Sequence, residues 1–206
     1  MTNQLIYNLN QNRILIGRII LVSAFILNLL TTSHSPNTMI IHHICDSIGL
    51  ICLVTCILGR IYCTLQIGGH KNASLVNTGI YSVVRNPLYF FSFIGTLGIG
   101  IVSNQITVCA LIVASFFLVY LPLIAREERF LGERFGASYQ AYLKSVPRLI
   151  PNFSLYRMPA GPMTINLATL HSALRDALWW LLPFIVFETI EWLQQEGFIH
   201  TIGNVW

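Results

Sequence analysis

Charge is what this sequence has least of: Asp, Glu, Lys and Arg make up 10% of its 206 residues. A water-soluble domain carries about 25%, so much of this chain has no polar surface to turn toward water. Hydrophobic residues reach 54%, and the mean hydropathy is +0.65. Lipid is therefore the expected solvent for most of it. A long basic run is also absent. The net charge of +4 comes from twelve Lys and Arg scattered at the ends of apolar stretches, a placement that encodes membrane topology. Nucleic acid is not an expected partner. A secretory cleavage pattern is missing as well. Arg13 and Arg18 precede or enter the first apolar run, yet no small-residue site follows it near 31–36. That run is expected to be a retained first span.

Cysteine is sparse and its pattern excludes a local disulfide. Cys45, Cys52, Cys56 and Cys63 follow one another at steps of seven, four and seven, so they share one helix face. Pairs along one helix do not meet disulfide geometry. Small apolar residues at a helix contact are favoured over a thiolate metal site. Gly95, Gly98 and Gly100 imitate a nucleotide-binding loop, but no strand precedes them. Close helix packing is expected there. His42, His43 and Asp46 have spacing that fits one helix end; an interfacial cluster is favoured over a metal site. Asp46 stands apart, because an acid inside a span is costly and often functional.

What is present is a series of apolar runs. Residues 14–30 form the first, and a polar stretch with Pro36 separates it from a second run over about 39–65. Both approach or exceed the roughly 20 residues that a spanning helix needs. Residues 68–86 form a glycine-bearing polar connection holding His70, Lys71 and Arg85. Pro87 suits the first turn of a third helix, with a run at 88–102. Ser103, Asn104 and Gln105 make a turn, and 106–124 is the fourth run. From Arg126 the character changes, with a polar helix expected to about Leu143, ended by Pro147 and Pro151. A last helix is expected over 167–193, amphipathic or spanning, with Trp179, Trp180 and Trp192. The loops at 31–38 and 103–105 lack Lys and Arg. The N-terminus, the 66–86 connection and the 126–165 segment hold nearly all of them, so those three are expected on the cytoplasmic side.

Two stretches on that face could carry chemistry. One is Leu75, Val76, Asn77, Thr78, Gly79, Ile80 and Tyr81, followed by Arg85, Asn86, Pro87, Leu88 and Tyr89. The other is Glu127 and Glu128, then Phe135, Gly136, Tyr139 and Tyr142, then Val146, Pro147, Arg148 and Pro151. Arg85 and Arg148 can fork onto a carboxylate or phosphate. The two glutamates can accept hydrogen bonds from hydroxyl and ammonium groups, and the tyrosines offer flat faces to a base or cation. Taken one by one, these residues also suit a solvated helix face and headgroup anchors.

Together, the linked stretches resemble the isoprenylcysteine carboxyl methyltransferase and phospholipid methyltransferase group of membrane enzymes, over about residues 70–151. The resemblance implies an all-α, polytopic transmembrane bundle of about five membrane helices with a cytoplasmic cofactor-binding segment. It implies one methyltransferase domain over 1–206, with a C-terminal linker and helix at 152–206. S-adenosylmethionine is the implied methyl donor, and a lipid or lipidated acceptor from the bilayer is the implied partner. Carried over by position, Leu75, Val76, Gly79, Tyr81, Arg85, Asn86, Pro87 and Tyr89 build the donor pocket, with Glu127 and Glu128 on its polar groups. Arg85, Glu128 and Arg148 are the expected catalytic residues, Arg148 or Arg85 steadying a charged group of the acceptor. Many members carry His where this chain has Asn86, which keeps hydrogen bonding and loses a titratable imidazole. The rival expectation is a non-catalytic membrane protein that keeps the fold for lipid binding or assembly.

Overall fold

Long apolar runs with helical spacing satisfy their backbone groups internally, and this is what lets them sit in lipid. In the computed structural model, which describes residues 15–16, 19–33, 39–68, 74–159, 161, 167–199 and 201–205, they become helices. Arg13, Arg18, Pro36, His70 and Lys71, named above, lie outside the described residues. The first helix, α1, covers Ile19–Leu30. It is followed by α2 (Met39–Gly68), a single turn α3 (Ile80–Val83), α4 (Pro87–Val102) and α5 (Ile106–Ser145). Then come α6 (Leu167–Leu178) and α7 (Leu181–Gln195).

The helical class holds, with one small addition. Thr31–Ser33 (β1) pairs in parallel with Gly203–Val205 (β2). Three-residue strands leave no periodicity to read in the sequence. Among the described residues, α2 and α5 are long and apolar enough to cross a membrane, while Ile19–Leu30 and Pro87–Val102 are shorter apolar helices. Along α2, Ile40, Ile44, Ile51 and Leu58 remain exposed. A helix in water would not hold out such a row of large aliphatic side chains; the chain is a membrane protein.

Two expectations need correcting. The polar helix from Arg126 is not parted from the fourth run: the helix continues through Arg126 as far as a kink at Gly136, beyond which a second helix ends at Ser145. Pro122 lies inside the first and withholds one helical N–H, and Gly136 leaves helical geometry at φ 51°, ψ −125°. The expected single helix at 167–193 is two helices, parted at Trp179 and Trp180. Pro183 explains the break. It has no N–H for the carbonyl of residue 179, and in the first turn of a new helix that loss costs little.

Contacts divide the chain into two compact units. The first comprises Met1–Val54, Phe93–Pro122 and Trp180–Trp206. Its core gathers Ala24, Val102, Val108, Ile112 and Phe187. A side-chain carbon on Gly98 would lie 2.8 Å from both Cys52 Cβ and the Gly49 carbonyl oxygen. Glycine on both helices thus lets α2 and α4 touch, as the close-packing reading requires. Asp46, whose partner the sequence did not reveal, accepts from Asn104 Nδ2 at 3.1 Å. Asn104 also reaches Glu191, which contacts His42 at 3.0 Å. Among the described residues no group of three or more His, Cys, Asp or Glu is arranged to hold a metal ion.

The second unit comprises Thr55–Ser92 and Leu123–Trp179. It contains both motif stretches.

Candidate donor-binding site

The two motif stretches are joined first through their backbones. Arg85 N–H donates to the Pro147 carbonyl at 2.8 Å, and Asn152 N–H to the Val83 carbonyl at 3.0 Å. Gly79 N–H donates to the Arg157 carbonyl at 2.7 Å, and Ser82 Oγ accepts from Arg157 N–H at 2.8 Å. Four bonds therefore hold 79–85 against 147–157, segments far apart in sequence. Pro147 and Pro151, read as helix breakers, lie in the non-helical stretch after Ser145 that carries this pairing.

Around this seam the polar side chains form one network. Glu128 sits at its centre. Its Oε1 accepts from Asn86 Nδ2 at 3.0 Å and lies 3.5 Å from Arg85 Nη2; its Oε2 lies 3.0 Å from Arg148 Nε. Asn86 Nδ2 also donates to the Arg148 carbonyl at 3.1 Å, and Arg85 Nη1 to the Leu143 carbonyl at 3.2 Å. The side chains of Arg85 and Glu128 are only 13% and 15% exposed, so their attraction is weakly screened. One carboxylate thus ties together two guanidinium groups and an amide.

Beside this network lies a cavity of about 660 Å³, within the usual size of a small-molecule site. Of the residues singled out in the sequence, Leu75, Val76, Tyr81, Arg85, Asn86, Pro87, Tyr89 and Glu127 line it. Gly79, Glu128 and Arg148 do not. They stand behind the wall and shape it. The adjacent glutamates have therefore parted company: Glu127 lines the cavity with no ion-pair or hydrogen-bond partner among the described residues, while Glu128 is fully engaged.

Tyrosines supply rigidity. Tyr142 OH donates to the Tyr81 carbonyl at 2.6 Å, and Tyr81 OH to the Cys63 carbonyl at 3.4 Å. Burial pushes the Tyr81 phenol well above its ordinary range, so it works as a neutral donor. Tyr139, Tyr142 and Val146 form a buried cluster with Leu75, Leu131 and Phe135. The turn at Gly136 allows residues beyond it to meet those before it.

The cavity also has walls that motif reading missed. Thr64 and Ile67 come from α2, Phe130 and Leu131 from α5, and Ala168, Thr169 and Ser172 from α6. The α6 residues lie outside the motif stretches and are small and common, so nothing in the sequence marked them. Close approach of α6 is visible at Gly68, where an added carbon would meet Thr169 Cγ2 at 2.5 Å.

The chemistry of the wall fits a zwitterionic nucleoside such as S-adenosylmethionine. Arg85 Nε is buried with no hydrogen-bond partner among the described residues, an arrangement suited to a carboxylate. Glu127 can take hydroxyl or ammonium donors, and aliphatic and aromatic faces are available for a base.

Comparison with known proteins gives a family. The sequence profile of the phospholipid methyltransferase family matches residues 12–138. The chain is similar to the cobalt-zinc-cadmium resistance protein CzcN of Cupriavidus metallidurans, 30% identical over 156 residues, 76% of this chain and 71% of that protein. It is similar to the nickel-cobalt-cadmium resistance protein NccN of Alcaligenes xylosoxydans xylosoxydans, 29% identical over 193 residues, 94% of this chain and 89% of that one. A shorter stretch, 82 residues at 35% identity, matches the protein-S-isoprenylcysteine O-methyltransferase of Schizosaccharomyces pombe, 40% of this chain and 35% of the enzyme. No solved structure gives a significant match.

Proposed function

The chain belongs to the phospholipid methyltransferase family, and from that membership we propose that it is a multi-pass, S-adenosylmethionine-dependent methyltransferase acting on a lipid or lipidated acceptor. The observation that carries the reading is one cavity, of about 660 Å³, on which Arg85, Glu127 and the aliphatic and aromatic motif residues converge. In this reading the apolar helices α1, α2, α4 and the first part of α5 are membrane crossings. The motif face and the N-terminus are cytoplasmic, following the placement of Lys and Arg.

S-adenosylmethionine, when bound, supplies an electrophilic methyl group on a sulfonium. The protein's share is positioning and exclusion of water. Arg85, braced from behind by Glu128, holds the donor's carboxylate. Glu127 takes its ribose hydroxyls or ammonium group. Leu75, Val76 and Leu131 keep water from the reacting centre. A carboxylate acceptor needs no base, being ionised at neutral pH. An amine acceptor must lose a proton, which a glutamate or water takes. Arg148, expected to touch the acceptor, is better read as a positioning residue, since it spends its guanidinium on Glu128.

The family names above include prenylcysteine and phospholipid acceptors, and both fit a cavity beside the bilayer. The metal-resistance names of two relatives specify no acceptor. The deciding experiment incubates the purified protein with labelled donor and a total lipid extract, then identifies the labelled product. Glu127→Ala is the informative variant. Its side chain makes no hydrogen bond or ion pair among the described residues, so the melting temperature should stay within a degree or two of wild type. Donor affinity should fall roughly tenfold to a hundredfold, the worth of a charged hydrogen bond. Wild-type protein that is folded yet binds neither the donor nor its demethylated product would favour the non-catalytic reading.

A further inference from the structure

From the end of the family match onward lies a segment whose composition is unlike the rest. Between Glu133 and Asp176 the sequence has no acidic residue, while Arg134, Lys144, Arg148, Arg157 and Arg175 fall within it. Within this segment the loop at 150–158 holds large apolar side chains out in the open. Ile150 is 81% exposed and Met158 83%, with Phe153 and Tyr156 between them also exposed. Disorder does not explain this, because the loop's backbone is pinned at both ends by the bonds of Asn152 to Val83 and of Arg157 to Gly79 and Ser82. The side chains are presented by a fixed scaffold.

The helix α6 repeats the pattern. Leu167, Leu174 and Leu178 recur at helical spacing and are exposed, whereas Ala173 and Ala177 are buried. Thr169 and Ser172, on another face, line the cavity. With His171, Arg175 and Asp176 among its 12 residues, the helix is too polar to cross a bilayer core. Its exposed stripe needs another cover.

We propose that the 150–158 loop and α6 form an interfacial anchor that docks on an anionic lipid headgroup layer. Charge selects this occupant over a second copy of the chain. The face carries Arg157 and Arg175 against one acid, Asp176, which lies 3.6 Å from Arg175; two such net-basic faces repel each other, while an anionic leaflet attracts Arg157 and accepts the apolar side chains beneath it. The rest of the chain is already held at the membrane, so docking adds no cost of association. An anchored α6 would also fix one wall of the cavity beside lipid.

The test uses the full chain in nanodiscs of phosphatidylcholine with or without phosphatidylglycerol. Phe153 and Leu174 are replaced, one at a time, by photoreactive benzoylphenylalanine. Ile51 on α2, exposed along an apolar helix, is the reactive control. Lipid adducts at both positions support the anchor. Adducts between two chains, or none at 153 and 174 while position 51 reacts, overturn it. Arg157→Ala in the Phe153 variant should lower the phosphatidylglycerol share of the adducts about fivefold, the worth of one basic residue at such a surface. An unchanged share would remove the anionic preference. Lipid adducts are read without any methyl transfer, so failure of the enzymatic reading leaves this result intact.

Discussion

Glu128→Ala should be the most damaging single change at the site, destabilising the folded protein by about 3 kcal/mol and abolishing measurable methyl transfer. The carboxylate answers Asn86, Arg85 and Arg148 at 3.0, 3.5 and 3.0 Å. Removing it leaves Arg85, 13% exposed, as a cation without its counter-charge. Such orphaned charges cost about 3–5 kcal/mol. The lower end applies here, because Arg148 is 40% exposed and can recover water. For a protein of this size that corresponds to roughly 10 °C in melting temperature. The loss of activity has a separate cause: an untethered Arg85 no longer presents a fixed fork to the donor, and positioning dominates this chemistry. Glu128→Gln discriminates the two. It keeps an acceptor for Asn86 but not the charge, so it should recover part of the stability and little of the donor affinity. Thermal melts in detergent and donor titrations check both. Full affinity in Glu128→Ala would show that Arg85 is held by something else.

That contrast with Glu127 was not legible in the sequence. Neighbouring residues on a helix point about 100° apart, and which of them faces inward is decided by packing partners that lie forty residues upstream. Charge placement put 75–89 and 127–151 on one face, and the family resemblance implied that they form one site. The hydrogen-bonded seam between 79–85 and 147–157 is the physical form of that linkage. Asn86 illustrates the boundary. Its departure from the usual His was visible at once, but its two bonds, to Glu128 and to the Arg148 carbonyl, needed coordinates. The apolar runs translated directly into α2, α4 and α5, since hydropathy and length act locally. The break at Trp179 was legible in Pro183 and was passed over, because the apolar periodicity continues through it. The partner of Asp46 and the α6 wall were beyond reach for one reason: both depend on contacts between distant segments.

Gly79→Ala should be nearly as severe, costing about 2–4 kcal/mol through two additive faults. Gly79 adopts φ 58°, ψ −135°, a backbone region that side chains rarely enter. An added carbon would also lie 1.7 Å from Gln66 Nε2. Gln66 has no spare conformation to offer without loss. Its Nε2 donates to the Thr78 carbonyl at 3.0 Å, and its Oε1 accepts from Ile80 N–H at 3.3 Å. Displacing it therefore loosens the turn that carries Tyr81 and begins the seam to Arg157. Gly136→Ala is the matched control. That residue sits at φ 51°, yet a carbon added there meets nothing within 4 Å. It should show backbone strain alone, about 1–2 kcal/mol. The difference between the two variants isolates the clash. A double-mutant cycle with Gln66→Ala sharpens it: Gln66→Ala should destabilise wild type yet cost little, or even help, in the Gly79→Ala background. Simple additivity of the two changes would mean that strain at Gly79, rather than contact with Gln66, sets the requirement for glycine.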